Sequence, residues 1–178
     1  MSEMIAPQPV LRICSCLTGY PSLLPLVEDA LVHHFGQIGL KSDPFPFADT
    51  DYYEAEMGTD LHRTWFCFNK LFNPEELPKY RSLTGLIEDE FAVEKRRRVN
   101  LDPGYLDMGK LVLASLKGAA DKIYMGQGVW AHTCLRYRFN KFSGPDHSFP
   151  DFIDGRFNDF FIEARRVYKR SLKTGLSP

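Results

Sequence analysis

The sequence has little net charge, few cysteines and no long hydrophobic run, and each of these absences excludes a class of protein. A net charge of −1 over 178 residues creates no overall field that would attract nucleic acid. Its apolar stretches are far shorter than the about 20 residues of a membrane-spanning helix. Its N-terminus, MSEMIAPQPV, lacks the basic start and apolar run of a secretory signal. We therefore expect a cytoplasmic protein that binds neither membranes nor nucleic acid.

The four cysteines do not have the spacing of a metal site or a redox motif. They are Cys14, Cys16, Cys67 and Cys134, all in apolar or strand-like segments. One residue separates Cys14 from Cys16, whereas a C-x-x-C motif needs two. A cytoplasmic chain keeps its thiols reduced. The sequence therefore predicts four buried thiols without disulfides or metal.

The composition and the order of predicted elements indicate one α+β domain. Hydrophobic (44%) and charged (25%) residues are in ordinary proportions, so we expect a single domain over 1–178 with an ordered core over about 10–172. The first hundred residues have the order of a ferredoxin-like β-α-β-β-α-β unit, which further antiparallel strands and a C-terminal helix extend. Apolar periodicity and turn residues predict strands at 10–17, 61–68, 97–101, 110–116, 122–125 and 129–137, helices at 22–35, from 73 and at 154–172, and a Pro-broken extended segment at 42–50.

The segment Asn73-Pro74-Glu75-Glu76 has the residues of a helix start. Asparagine suits the N-cap, proline the first helical position, and a glutamate at the third position can accept a hydrogen bond from the N-cap backbone. We therefore predict a helix that begins there, with an irregular first turn because Pro78 follows.

The segment YYEAEMG (52–58) follows two aspartates, so four carboxylates lie within eight residues: Asp49, Asp51, Glu54 and Glu56. In an extended chain, Glu54 and Glu56 would share one face and could coordinate a hard cation such as Mg²⁺ through oxygen. The alternative is a solvated loop whose tyrosines are anchored in the core.

The segment RRVNLDPGY (97–105) follows two further basic residues and combines guanidinium, amide and carboxylate groups. In a strand, Arg96, Arg98, Asn100 and Asp102 would point to one side and could bind a phosphate or carboxylate. Asp-Pro-Gly predicts a tight turn with Gly104 at positive φ, whose exposed backbone amides would bind an oxyanion. The alternative is a charged edge strand that an ordinary turn closes.

These segments resemble a known family. The order YYEAEMG, Leu61-x-Arg63, RRVNLDPGYL, KLVLASLK and a G-x-W-A-x-T-x-L-x-Y strand is similar to the bacterial domain of unknown function 4416, over about 10–168. The resemblance implies a free-standing bacterial protein without an established activity, some of whose relatives carry a GTP-binding label. No catalytic residues transfer with it. The sequence GQIGLKS (36–42) does not have the spacing of a P-loop, which excludes a GTPase of that kind.

Two strand segments are close to the pattern of a two-histidine phosphoesterase. That pattern places H-x-T or H-x-S on each of two strands. His62-Arg63-Thr64 fits, but His132-Thr133-Cys134 has a thiol where a hydroxyl is required. We therefore interpret both histidines as ordinary strand residues.

The leading functional hypothesis is a site, formed where the two segments meet, for a small anionic ligand such as a nucleotide or phosphorylated metabolite. Basic residues would bind the anion, polar residues would orient it, tyrosines would stack on it, the glycine backbone would approach it, and a glutamate would hold a metal ion such as Mg²⁺. The basic residues are Arg96, Arg98 and Lys110, and the polar residues are Asn100 and Asp102. The tyrosines are Tyr53 and Tyr105, the glycine is Gly104, and the metal-binding glutamate is Glu54 or Glu56.

Two alternatives stay open from the sequence. The first is an enzyme that acts on a phosphate ester, with Glu56 or Asp102 as general base. The second is a non-catalytic interaction protein whose contact surface is the basic end of the final helix, which otherwise is a solvated helix end that complements the helix dipole. The basic residues of that end are Arg165, Arg166, Lys169, Arg170 and Lys173.

Overall fold

The structure, a computed structural model, describes residues 3, 5–119, 121–145 and 148–174. Its centre is an antiparallel sheet in the order β2-β4-β1-β5-β6-β8-β7, with β3 paired to β4 and β9 paired to β8. The α+β class is confirmed. The strands are β1 Val10–Thr18, β2 Ile38–Lys41, β3 Phe45–Phe47, β4 Leu61–Phe72, β5 Asn100–Leu106, β6 Lys110–Ser115, β7 Ile123–Gly126, β8 Val129–Arg138 and β9 Lys141–Ser143.

Helices cover both faces of the sheet, because its central strands are apolar on both sides. On one face, Phe161 and Ala164 of the last helix pack in a cluster with Trp65 of β4. On the other, two earlier helices pack together against side chains of β1 and β4 such as Cys14 and Phe66. No helix of the described ranges has the length and hydrophobicity to cross a membrane. The helices are α1 Leu24–Phe35, α2 Glu54–Met57, α3 Leu77–Glu90, α4 Pro150–Ile153 and α5 Asn158–Thr174.

Two local predictions are confirmed. A 3₁₀ turn over Pro74–Glu76 leads into α3, and the backbone N–H of Asn73 donates to Glu76 Oε1 at 3.2 Å. The four cysteines are buried free thiols. Burial raises the pKa of Cys16 and of Cys67 to about 12, so neither forms a thiolate near neutral pH.

The predicted turn at Asp102-Pro103-Gly104 is wrong, because β5 runs straight through it. Gly104 pairs with Ile13 of β1 and with Leu113 of β6, and its φ is not positive. Glycine is needed at this position because the backbones of β5 and β6 approach each other closely: a Cβ at residue 104 would lie 2.2 Å from the backbone oxygen of Val112. Tertiary pairing therefore overrides a local sequence pattern that is typical of turns.

Proline is tolerated in this strand because β5 and β6 pair over only part of their length. Their pairing comprises Gly104–Leu113, Tyr105–Val112 and Leu106–Leu111. Before Gly104, the β6 side of β5 is not paired to a strand, and the backbone N–H of Leu101 donates there to Glu88 Oε1 at 2.6 Å. Pro103 lies two residues further, so its nitrogen faces the same unpaired side and no ladder hydrogen bond is lost. We call this three-pair contact the β5–β6 junction.

Candidate functional site

A cavity of about 700 Å³ opens on the α5 face of the sheet, beside the β5–β6 junction. Its floor consists of strand residues. Its walls come from the segment 47–53, from residues 115–119 with Lys122, and from Phe149 with the start of α4. The volume lies within the range of about 300–1,000 Å³ that is typical of small-molecule sites. The polar and aromatic residues that line it are Phe47, Asp49, Thr50, Tyr52, Tyr53, Arg63, Arg81, Arg97, Asn100, Asp102, Ser115, Lys117, Lys122, His132, Phe149, Asp151 and Phe152.

A buried arginine lies at the floor of the cavity. Arg63 is only 6% exposed, because it points to the same face of β4 as Trp65. Its Nη1 donates to Asp102 Oδ2 at 2.8 Å and to Ser15 Oγ at 2.9 Å, and its Nε lies 3.1 Å from Asp151 Oδ2. Burial alone would lower the pKa of Arg63, but the two carboxylates outweigh burial and raise the pKa. The guanidinium is therefore charged and positioned between two acids.

Asp151 is the less satisfied of the two acids. It is 1% exposed, and neither carboxylate oxygen accepts a hydrogen bond from any residue that the structure describes. The Nε of Arg63 is close enough for charge pairing but is not aligned for a hydrogen bond. Burial raises the pKa of Asp151, and the Arg63 charge opposes that rise. Among the described residues, the carboxyl group of Asp151 therefore has a charge partner but no hydrogen-bond donor.

A chain of polar contacts joins the two sequence segments at this cavity. Asn100 Nδ2 donates to Asp102 Oδ1 at 3.0 Å, and Arg97 Nη1 donates to Asn100 Oδ1 at 3.1 Å. Arg97 Nε then donates to Glu56 Oε2 at 2.7 Å, with its guanidinium carbon 5.8 Å from the centre of the Tyr53 ring. The segments therefore meet, and they do so through Arg97.

Two lysines on the cavity wall have no carboxylate partner among the described residues. Lys122 Nζ donates to Ser115 Oγ at 2.8 Å and to the Lys117 carbonyl at 3.1 Å. Lys117 Nζ lies 4.8 Å from the centre of the Tyr52 ring. Within the described part of the chain, neither ammonium has a carboxylate oxygen within 4 Å. The other cations of the lining differ in this respect, since Arg63, Arg81 and Arg97 each pair with an acid.

His132 and Cys134, from β8, also line the cavity, and burial keeps both uncharged. Burial and the nearby Lys122 charge lower the pKa of His132, so the imidazole is neutral at pH 7. Burial raises the pKa of the Cys134 thiol, whose Sγ lies 3.6 Å from His132 Nδ1. The pair is therefore a thiol beside a neutral imidazole, not the thiolate–imidazolium pair of a cysteine nucleophile.

The structure places three of the predicted ligand residues in the cavity lining: Tyr53, Asn100 and Asp102. Arg98 is elsewhere, with its guanidinium carbon 4.4 Å from the centre of the Tyr20 ring. Arg96 is exposed in a turn in which its backbone pairs with Val93. Both predictions assumed a strand from residue 97, but β5 begins at Asn100, so alternation does not extend to these arginines.

The other predicted binding residues also lie outside the cavity lining. Tyr105 packs against Phe72 on the opposite face, because strand alternation separates it from Asp102. Gly104 is enclosed between β1 and β6. Lys110 pairs with Asp107, beyond the far end of the β5–β6 junction.

The predicted Mg²⁺ ligands do not form a cluster. The segment is helical (α2) rather than extended, Glu54 is exposed, and Glu56 pairs with Arg97. Across the described ranges, no three His, Cys, Asp or Glu side chains are grouped to hold a metal ion.

The basic end of α5 is only partly solvated. Arg165 Nε donates to the Met108 carbonyl at 2.9 Å and its guanidinium carbon lies 3.9 Å from the centre of the Tyr137 ring. Arg166 and Arg170 both contact Glu163. Lys169 and Arg170 are exposed. A protein partner for this surface stays a prediction.

Sequence reasoning missed the most buried members of the site. Arg63 directly precedes the largely apolar run TWFCF. A charged residue that lies two positions from Trp65 in a strand points to the same face as the tryptophan, and this is the sequence signal of a buried charge. Asp151 stands between Pro150 and Phe152 in an aromatic segment, which is a weaker signal of the same kind. Lys117 and Lys122 gave no local signal, since single lysines next to predicted strands are ordinary.

Comparison with known proteins identifies the family of the chain. Residues 8–168 match the family described as domain of unknown function (DUF4416). No curated protein and no solved structure matches the chain.

Proposed function

Because the chain belongs to the DUF4416 family, whose description names no activity, we propose a function from the site: the cavity binds a small anionic ligand, a nucleotide or another phosphorylated metabolite. The observation that carries this proposal is the pair of lysines, Lys117 and Lys122, on the wall of a cavity of about 700 Å³. Lys122 is half-buried and Lys117 is exposed, and neither has a carboxylate partner among the described residues. Two such ammonium groups on one cavity wall favour an anion as the ligand.

The remaining lining suits the rest of such a molecule. Tyr52, Tyr53 and Phe149 offer aromatic faces on which a base or another flat group can pack. The Asn100 amide is held by Arg97 and Asp102, and a fixed amide can orient a polar group of the ligand. Arg63 does not supply the anion site, because Asp102 and Asp151 already balance its charge.

An enzyme that acts on a phosphate ester is the second candidate, and His132 is the observation that favours it. A neutral imidazole beside Lys122 can accept a proton while the lysine binds phosphate. Asp102 suits a base less well, since Arg63, Ser15 and Asn100 already donate to its oxygens. Glu56 likewise is occupied by Arg97. Release of phosphate from a bound ester, lost in His132→Ala, would favour this candidate over simple binding.

We also infer that β1, α1, β2, β4, α3 and β5 form a ferredoxin-like unit. The sheet order β2-β4-β1-β5 and the packing of α1 and α3 on one shared face support this inference. The Asp102–Arg63 floor of the cavity would then belong to that unit, and the lysine wall to its extension.

The proposal is tested by ligand-dependent stabilisation. A panel of nucleoside phosphates and sugar phosphates, with and without Mg²⁺, is screened by thermal denaturation, and the strongest binder is titrated by calorimetry. A ligand at a hundredfold excess over Kd stabilises the fold by about 2.7 kcal/mol, which is readily measured. We expect Lys122→Ala to weaken binding about tenfold, because one charge-assisted contact is lost.

Lys169→Ala is the matched control, since Lys169 is an exposed lysine of α5 outside the cavity lining. It should leave the affinity unchanged. If no member of the panel stabilises the wild-type protein, or if both lysine variants weaken binding equally, the cavity is not the anion site.

A further inference from the structure

Asp151 is a buried acid that accepts no hydrogen bond from the residues that the structure describes. Its side chain is 1% exposed and lines the cavity, and neither oxygen has a donor among the residues that the structure describes. A buried carboxyl group without donors is costly unless something supplies them. The feature is therefore unusual for a merely structural residue.

We propose that Asp151 recognises neighbouring hydroxyl groups of the ligand, so that the ligand is a phosphorylated polyol, such as a sugar phosphate or a ribonucleotide. This inference rests on the proposed function. The phosphate would lie at Lys117 and Lys122. The hydroxyl pair would donate to Asp151, whose Oδ1 has no donor among the described residues and whose Oδ2 has only the misaligned Arg63 Nε beside it. A carboxylate that accepts from a ribose diol is a known solution to this recognition problem.

Hydroxyl donors fit Asp151 better than an ammonium group does. Burial raises the pKa of Asp151, so its protonated form is more accessible than that of an exposed aspartate. A hydroxyl can donate to the carboxylate and can also accept from the carboxylic acid, whereas an ammonium can only donate. The Arg63 Nε, 3.1 Å from Oδ2, already supplies a positive charge at this carboxyl group.

The test compares probes that differ only in their hydroxyl groups. Calorimetry measures the Kd of a ribonucleoside 5′-monophosphate and of its 2′,3′-dideoxy counterpart, with the base that gives the larger shift in the panel. We expect the wild-type protein to bind the ribonucleotide roughly ten- to hundredfold more tightly than the dideoxynucleotide, because the ribose hydroxyls can donate hydrogen bonds to a charged acceptor. Asp151→Asn, which keeps the volume of the side chain but removes its charge and one acceptor, should reduce this preference to a few-fold.

The outcomes separate this inference from the proposed function. Equal binding of both probes by the wild-type protein, with Lys122→Ala weakening both, would overturn the role of Asp151 and leave the anion site intact. Absence of binding by any phosphorylated probe would overturn both. Tighter binding of glucosamine 6-phosphate than of glucose 6-phosphate would replace the hydroxyl assignment with an ammonium one. The wild-type comparison stands even if the Asp151 variant does not fold.

Discussion

Replacement of Arg63 by alanine is expected to lower the free energy of unfolding by about 3–5 kcal/mol, because it leaves two carboxylates without their counter-ion in a buried site. Asp102 and Asp151 both depend on this guanidinium. Its guanidinium carbon also lies 5.0 Å from the centre of the Phe47 ring and 5.7 Å from that of Trp65, so packing is lost along with charge. Urea denaturation at pH 7 measures the change.

Arg97→Ala is the control for loss of an arginine charge at a partly exposed position. Arg97 pairs with Glu56, but both side chains are partly exposed, and such pairs contribute about 0–1 kcal/mol. The double variant Arg63→Ala/Asp151→Asn should be more stable than Arg63→Ala alone, since it removes one unpaired carboxylate. A double variant at least as unstable as the sum of the single changes would mean that charge is not the cause.

Gly104→Ala should destabilise the protein by about 3 kcal/mol, at the upper end of the range for overpacking. The added Cβ would lie 2.2 Å from the Val112 backbone oxygen and 2.6 Å from Leu113 Cδ2. The backbone oxygen cannot move without disturbing the β5–β6 junction. Thermal and urea denaturation, together with loss of hydrogen-exchange protection at β6, would report the change.

Gly85→Ala is the matched control for this substitution, because it is the same chemical change in a different setting. Gly85 lies in the interior of α3, where the nearest atom to an added Cβ is Arg81 Nη1, at an ordinary 3.5 Å. Alanine there should stabilise the helix by about 0.5–1 kcal/mol. A loss at Gly104 no larger than about 1 kcal/mol would contradict the steric explanation.

Features that depend on near neighbours in the chain were predictable from the sequence. The helix start at Asn73 follows from residues within one turn, and the free thiols follow from the apolar context of each cysteine. The α+β class and the family are likewise confirmed. The short strands β2 and β9 were not predicted, because four- and three-residue strands contain too few residues to show alternation.

The composition of the cavity was not predictable in this way. Its floor residue Arg63, its wall residue Lys122 and its free acid Asp151 are far apart in the chain, and only the order of the strands brings them together. The segment around Asp102-Pro103-Gly104 shows the same limit, since its local preference for a turn loses to pairing with two strands. Both predicted segments contribute residues to the cavity lining, but most of the side chains predicted to bind a ligand lie outside it.

The β5–β6 junction makes the cavity a property of the assembled sheet rather than of any continuous piece of chain. The three residue pairs of that junction separate Arg63 and Asp102, which precede it in the chain, from Lys122 and Asp151, which follow it. A protein cut between β5 and β6 would leave the floor in one fragment and the lysine wall in the other. A change in the length of the segment between β6 and β7 would therefore alter the size and shape of the cavity, while the buried arginine and its aspartates stayed as they are.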